Sequence, residues 1–141
     1  MLLRLAGNWV EQHRLGWTYT YRVDVRLSPH DIVVPDLLFT SQERRSIHMM
    51  RGDVLGPPDM IGEIIRPESR EMDSRQKFDL YERSGVQEYW LIDPDERIFQ
   101  LFVLRGGQYR EVAAVDGFVR SEIIPGLVIF LTKVFAGLDR W

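Results

Sequence analysis

The sequence contains no cysteine among its 141 residues. This absence excludes a disulfide framework, a thiol nucleophile and a zinc site built on cysteine ligands. A reducing compartment is then the simplest setting, so we predict a cytoplasmic protein. Long apolar runs are also missing, and none approaches the thickness of a bilayer, which predicts a chain without a membrane span.

The chain carries little net charge, since 18 Lys and Arg stand against 21 Asp and Glu for a formal charge of -3. A protein with this balance does not attract polyanions as a whole, so any contact with nucleic acid must come from a local cluster of cations. Apolar residues make up 45% of the sequence, and no repeat or linker divides it. We therefore predict a single domain over residues 1–141.

Hydrophobic spacing predicts a mixture of helices and strands. Residues 1–15 and 73–84 have helical spacing, and Phe78 and Tyr81 form a buried stripe on the second helix. Strand patterns cover residues 18–27, 32–39, 60–65 and 86–92, and Tyr89 and Trp90 belong to the core. Turns at Asp93-Pro94-Asp95, Gly106-Gly107 and Asp116-Gly117 predict an antiparallel meander toward the carboxyl end. The predicted class is α/β or α+β, a mixed sheet flanked by helices.

Two carboxylates interrupt predicted strands that are otherwise apolar: Asp36 in VVPDLLF and Glu63 in MIGEII. A buried ionised carboxylate needs a partner, which can be an arginine, a hydroxyl network or a metal ion. If the two strands are neighbours, both carboxylates could converge on a divalent cation. In the alternative interpretation, Asp36 bonds backbone amides near Pro35, and Glu63 pairs with Arg66 or with an arginine of the following helix.

Four segments together carry a resemblance to a known family. They are VVPDLLF, GPPDMIGEIIRPES, DSRQKFDLY with Asp73, Lys77 and Tyr81, and SGVQEYWLIDP. This combination resembles the Uma-two family of putative restriction endonucleases, over residues 7–135. The family has the PD-(D/E)xK nuclease fold. The resemblance therefore implies a restriction-endonuclease-like sheet and hydrolysis of DNA phosphodiester bonds.

The resemblance also implies a set of site residues. Asp36 and Glu63 correspond to the acidic pair that binds Mg²⁺ (or Mn²⁺), with the main-chain carbonyl of Ile64 as a further ligand. The strand position that carries lysine in other nucleases of this fold holds Ile65 here. Lys77 matches the position on the following helix where this family has its lysine. Such an ion would activate a water molecule, and Lys77 would orient it as the third catalytic residue.

Three arginines next to the implied site could contact DNA. Arg66, Arg70 and Arg75 follow the Glu63 strand or lie at the start of the next helix, where they could reach flanking phosphates. The alternative interpretation is an ordinary solvated helix face.

Relatives usually begin with a further helix and hairpin that carry another acidic residue, and we expect this chain to lack that segment. An alternative function follows, a non-catalytic binding or assembly module that keeps the nuclease fold. An uncovered sheet edge would also favour association, most simply as a homodimer.

Overall fold

A six-stranded mixed sheet forms the centre of the structure. The computed structural model describes residues 2–20, 23–47 and 53–136. Its helices are α1 (Leu2–Gln12), α2 (Arg70–Ser84) and α3 (Leu131–Val134), with 3-10 segments at Gln42–Ile47 and Pro67–Ser69. Its strands are β1 (Gly16–Tyr19), β2 (Val25–Arg26), β3 (Ile32–Val33), β4 (Leu37–Ser41), β5 (Val54–Leu55), β6 (Met60–Ile64), β7 (Glu88–Asp93), β8 (Ile98–Arg105), β9 (Gln108–Glu111), β10 (Phe118–Arg120) and β11 (Val128–Phe130). The large sheet has the order β1-β4-β6-β7-β8-β9.

One parallel pair lies in the middle of this sheet. Strand β6 pairs with β7 in parallel, whereas each other neighbouring pair of the sheet is antiparallel. Helix α2 connects the two parallel strands, because a parallel pair needs a crossover connection. The apolar strand and the helix predicted on either side of Pro67 are therefore consecutive parts of one strand–helix–strand unit.

The sheet separates two apolar layers, because side chains alternate between its faces. Leu37, Phe39 and Trp90 belong to the cluster on the side of α1. Ile61 and Tyr89 belong to the cluster that also contains Tyr81 of α2. Both Tyr89 and Trp90 are fully buried, which confirms that they are core residues.

The alternating segment 18–27 was predicted as one strand, and this prediction is wrong. Its first part is β1 in the large sheet, while Val25–Arg26 is β2 in a three-stranded sheet ordered β3-β2-β5. Gly16 directly after the predicted helix 1–15 suggests a left-handed cap there, but the helix ends at Gln12, and the left-handed φ of 52° belongs to Arg14. Gly16 instead allows close approach to β4, because a Cβ atom there would overlap the Thr40 carbonyl oxygen.

The predicted strand at 32–39 is also divided. It breaks at Val34, Pro35 and Asp36 into β3 and β4, which belong to different sheets. Proline has no N–H to donate, so it interrupts a ladder readily. This break places Asp36 immediately before the first residue of β4.

The carboxyl-terminal part matches the predicted meander only as far as β9. Strands β7, β8 and β9 form consecutive antiparallel pairs, but β10 pairs with β11 in a separate two-stranded sheet. Strand β11 is followed directly by the short helix α3. The mixed α+β class with a mixed sheet flanked by helices is confirmed. Across the described ranges, every helix is too short or too polar to pass through a membrane.

Candidate active site

The pairing of β4 with β6 brings Asp36 and Glu63 together. Leu37 lies opposite Gly62 in the antiparallel register, so the preceding Asp36 lies opposite Glu63. The Asp36 N–H donates to Glu63 Oε1 at 3.3 Å, and the Ile64 N–H donates to Asp36 Oδ2 at 2.8 Å. The two carboxylates that interrupt apolar sequence are thus direct neighbours at one end of the sheet.

Glu63 is buried, with 4% of its surface exposed, and faces helix α2. The Tyr81 hydroxyl donates to Glu63 Oε2 at 2.6 Å, and Lys77 Nζ lies 3.3 Å from the same oxygen. Burial raises the pKa of Glu63 from 4.5 to about 7, although the Tyr81 hydrogen bond and the Lys77 charge act in the opposite direction. Desolvation therefore exceeds the combined effect of both partners.

Lys77 and Tyr81 lie one helical turn apart, so their side chains lie on the same face of α2. The aromatic packing of the helix fixes this face toward the sheet, since the Tyr81 ring is 5.4 Å and the Phe78 ring 6.1 Å from the ring of Tyr89. The interpretation in which Glu63 pairs with an arginine is wrong, because its cationic partner is Lys77.

The three predicted DNA-binding arginines differ in their positions. Arg66 lies at the site, where its Nη2 atom is 3.3 Å from Asp36 Oδ1, and its side chain is 62% exposed. Arg75 is exposed on α2. Arg70 begins α2, and its side chain is outside the described residues. An exposed ion pair such as Arg66 with Asp36 contributes only about 0 to 1 kcal/mol, so a phosphate group could replace the carboxylate partner.

A second buried carboxylate, Glu88, shows what a structural carboxylate looks like in this fold. Glu88 Oε1 accepts the N–H groups of Glu122 and Ile123, and Oε2 accepts the Trp90 indole N–H and the Ser121 hydroxyl. Burial raises its pKa, and these hydrogen bonds oppose the increase. All four donors are neutral and come from the fold itself, whereas Glu63 contacts a lysine and a second carboxylate-bearing residue.

The donor chemistry of Asp36 and Glu63 fits Mg²⁺ or Mn²⁺. Mg²⁺ commonly binds through one or two carboxylates and completes its shell with water and substrate phosphate. Within residues 2–20, 23–47 and 53–136, no group of three or more His, Asp or Glu side chains could hold a metal ion. Two carboxylates suit a weakly held ion better than a permanent structural metal centre.

Tyr81 is the site residue that sequence reasoning missed. Its hydroxyl lies 2.6 Å from Glu63 Oε2, closer than Lys77 or the Asp36 N–H lies to this carboxylate, yet the helical pattern identified it only as part of a buried stripe. The i, i+4 spacing of a lysine and a tyrosine, directly after a strand with an internal glutamate, is the signal that could have identified it.

Comparison with known proteins agrees with this fold. The Uma2 family model, described as "Putative restriction endonuclease", matches residues 1–132. A crystal structure of "a putative nuclease belonging to DUF820" from Anabaena variabilis is similar, with a TM-score of 0.71 and 22% sequence identity. The similarity covers 97% of this chain and 77% of that one. No curated protein matches the chain.

Proposed function

Because the chain belongs to the Uma2 family of putative restriction endonucleases, we propose that it hydrolyses DNA phosphodiester bonds with Mg²⁺ or Mn²⁺ as its cofactor. The family assignment supports an endonuclease, and hence a hydrolase. One observation supports the proposed site: Glu63 of β6 accepts the backbone N–H of Asp36, which immediately precedes β4, and pairs with Lys77 of α2, each at 3.3 Å.

Asp36 and Glu63 would hold the ion, with the main-chain carbonyl of Ile64 as a further ligand. A bound divalent cation lowers the pKa of a coordinated water and withdraws charge from the scissile phosphate. The carboxylate of Asp36 is kept in place by the Ile64 N–H, and that of Glu63 by Tyr81. The protein therefore supplies a preformed pair of oxygen ligands.

Lys77 supplies a mobile positive charge beside this pair. Its side chain is 31% exposed, so the ammonium group lies between the buried Glu63 and solvent. From there it can orient the attacking water and balance charge that develops on the phosphate oxygens. The flexible stem of lysine permits this movement.

Arg66, Arg70 and Arg75 would hold the DNA backbone on either side of the scissile bond. Arg66 can exchange Asp36 for a phosphate oxygen, because charge-assisted hydrogen bonds of guanidinium to phosphate are strong. Arg70 and Arg75 would extend this contact along α2. A cytoplasmic location and a homodimer belong to the same proposal.

The test is cleavage of supercoiled plasmid DNA with Mg²⁺, with Mn²⁺ and with EDTA. We expect cleavage by the parent with either ion, none with EDTA, and none by Asp36→Asn. Lys77→Met should lose cleavage while Lys133→Met keeps it, a matched control because Lys77 and Lys133 are the only two lysines of the chain. Undiminished cleavage by Lys77→Met would remove this residue from the mechanism. A parent that binds DNA without cutting it would instead support a binding module.

A further inference from the structure

The Tyr81 hydroxyl contacts Glu63 from a buried and well-packed ring. Tyr81 is fully buried, and its ring packs edge to face on Tyr89. Its hydroxyl lies 2.6 Å from Glu63 Oε2, a length typical of a hydrogen bond to an ionised carboxylate. Lys77 reaches the same oxygen at 3.3 Å, but through a flexible and partly exposed stem.

The two oxygens of Glu63 have different surroundings as a result. Oε2 faces α2 and contacts Tyr81 and Lys77, whereas Oε1 accepts the N–H of Asp36. A tyrosine hydroxyl on Oε2 fixes the rotation of the carboxylate about its last bond. It thereby holds Oε1 on the side of Asp36, where the proposed ion would bind.

Because Tyr81 and Lys77 share Glu63 Oε2, Tyr81 also affects how readily the Lys77 ammonium group can leave this oxygen. A buried acceptor that loses its donors costs free energy, so a lysine that alone satisfied Glu63 could not leave it readily. With Tyr81 in place, Oε2 keeps a donor when the ammonium group turns toward a phosphate.

We infer that Tyr81 is a positioning residue of the proposed ion site: it orients Glu63 for the cation and leaves Lys77 available to the substrate. The inference rests on the proposed function. Tyr81 and Lys77 contact the same oxygen atom of Glu63 but have different roles: Tyr81 affects the affinity for the ion, and Lys77 affects the rate of cleavage.

The test is Mn²⁺ binding to the full chain, measured by calorimetry and by electron paramagnetic resonance of the free ion. Removing a partner that orients a metal ligand typically weakens binding about 10- to 100-fold, which is the loss we expect for Tyr81→Phe. Excess Mn²⁺ should restore its plasmid cleavage. Lys77→Met should bind Mn²⁺ at least as tightly as the parent, because it removes a positive charge near the ion, and excess Mn²⁺ should not restore its cleavage.

Tyr109→Phe is the matched control. The Tyr109 hydroxyl is also buried and donates to the Val86 carbonyl at 2.8 Å, with no contact to the site. It should lose stability as Tyr81→Phe does, without a change in Mn²⁺ affinity. Equal Mn²⁺ affinity of Tyr81→Phe and Tyr109→Phe would overturn the inference.

Two other outcomes are equally informative. If Tyr81→Phe does not fold, Lys77→Met decides: affinity at or above that of the parent supports the division of labour, and a large loss overturns it. If the parent binds no Mn²⁺, the proposed ion site fails, and this inference fails with it.

Discussion

Replacement of Glu63 by glutamine should change how the stability of the metal-free protein depends on pH. Burial raises the pKa of Glu63 from 4.5 to about 7 in the folded state. In the unfolded chain the side chain titrates near its ordinary value. Between these two pH values the folded protein binds a proton that the unfolded chain has lost.

The sign and size of the effect follow from this difference. Below pH 4.5 Glu63 is protonated in both states and has no effect, whereas above pH 7 the fold bears the full cost of a buried charge. Stability from this group therefore falls as pH rises through this window. A change in pKa from 4.5 to about 7 corresponds to about 3 kcal/mol in total, of which about 2.5 kcal/mol falls between pH 5 and pH 8.

Urea denaturation in EDTA at several pH values from 5 to 8 measures this effect. Other carboxylates titrate too, so the informative quantity is the difference between the parent and Glu63→Gln. This difference should move in favour of the glutamine variant by about 2 to 3 kcal/mol as pH rises from 5 to 8. Glu11→Gln, which changes an exposed glutamate of α1, should run parallel to the parent. If Glu63→Gln also ran parallel, the argument that Glu63 is strongly desolvated would be wrong.

Three further predictions concern the structural carboxylate, the lysine and the sheet edge. Glu88→Gln should lower the free energy of unfolding by about 2 to 4 kcal/mol, because an NH₂ group would face donors that now reach a carboxylate oxygen. An unchanged urea midpoint would contradict this. The double variant Lys77→Met/Ile65→Lys should recover part of the plasmid cleavage lost in Lys77→Met, because side chains two residues apart in an extended chain, such as those of residues 63 and 65, point to the same side. Equal cleavage by the single and the double variant would count against this prediction. The chain should form a homodimer, because β1 is an outer strand beside a groove of about 850 Å³. Light scattering that shows only monomer at micromolar concentration would refute this.

The sequence was sufficient to predict those helices and strands for which the hydrophobic pattern and the residues that end the element, such as proline, indicate the same structure. The short apolar strand before Pro67 and the helix that follows it appear as β6 and α2, and their order defines the strand–helix–strand unit. Alternation failed at residues 18–27, because β1 and β2 share one pattern but lie in different sheets. Alternation specifies which side chains share a face, and it carries no information about which neighbouring strand each part pairs with.

The acidic pair of the candidate site could be singled out from the sequence because a carboxylate in an apolar strand conflicts with its surroundings. That conflict identified Asp36 and Glu63, and the resemblance supplied Lys77. The contacts among them could not be predicted, since the opposition of Asp36 and Glu63 depends on the β4 to β6 register. Tyr81 gave no such conflict, because a tyrosine on a buried helix face satisfies the apolar pattern whether or not its hydroxyl has a special partner.

The shared partner of Lys77 and Tyr81 explains how the lysine of this site can lie on a helix. Helix α2, which connects the parallel strands β6 and β7, packs on the face of the sheet to which Glu63 points. A lysine on this helix can therefore reach the Glu63 carboxylate as readily as a lysine near the end of β6 could. What the proposed chemistry requires is an ammonium group near Glu63 and the phosphate, wherever its backbone lies. A helix position adds one condition, since the lysine must leave a buried oxygen when it turns to the substrate. The hydroxyl of Tyr81 meets that condition one turn further along the same helix.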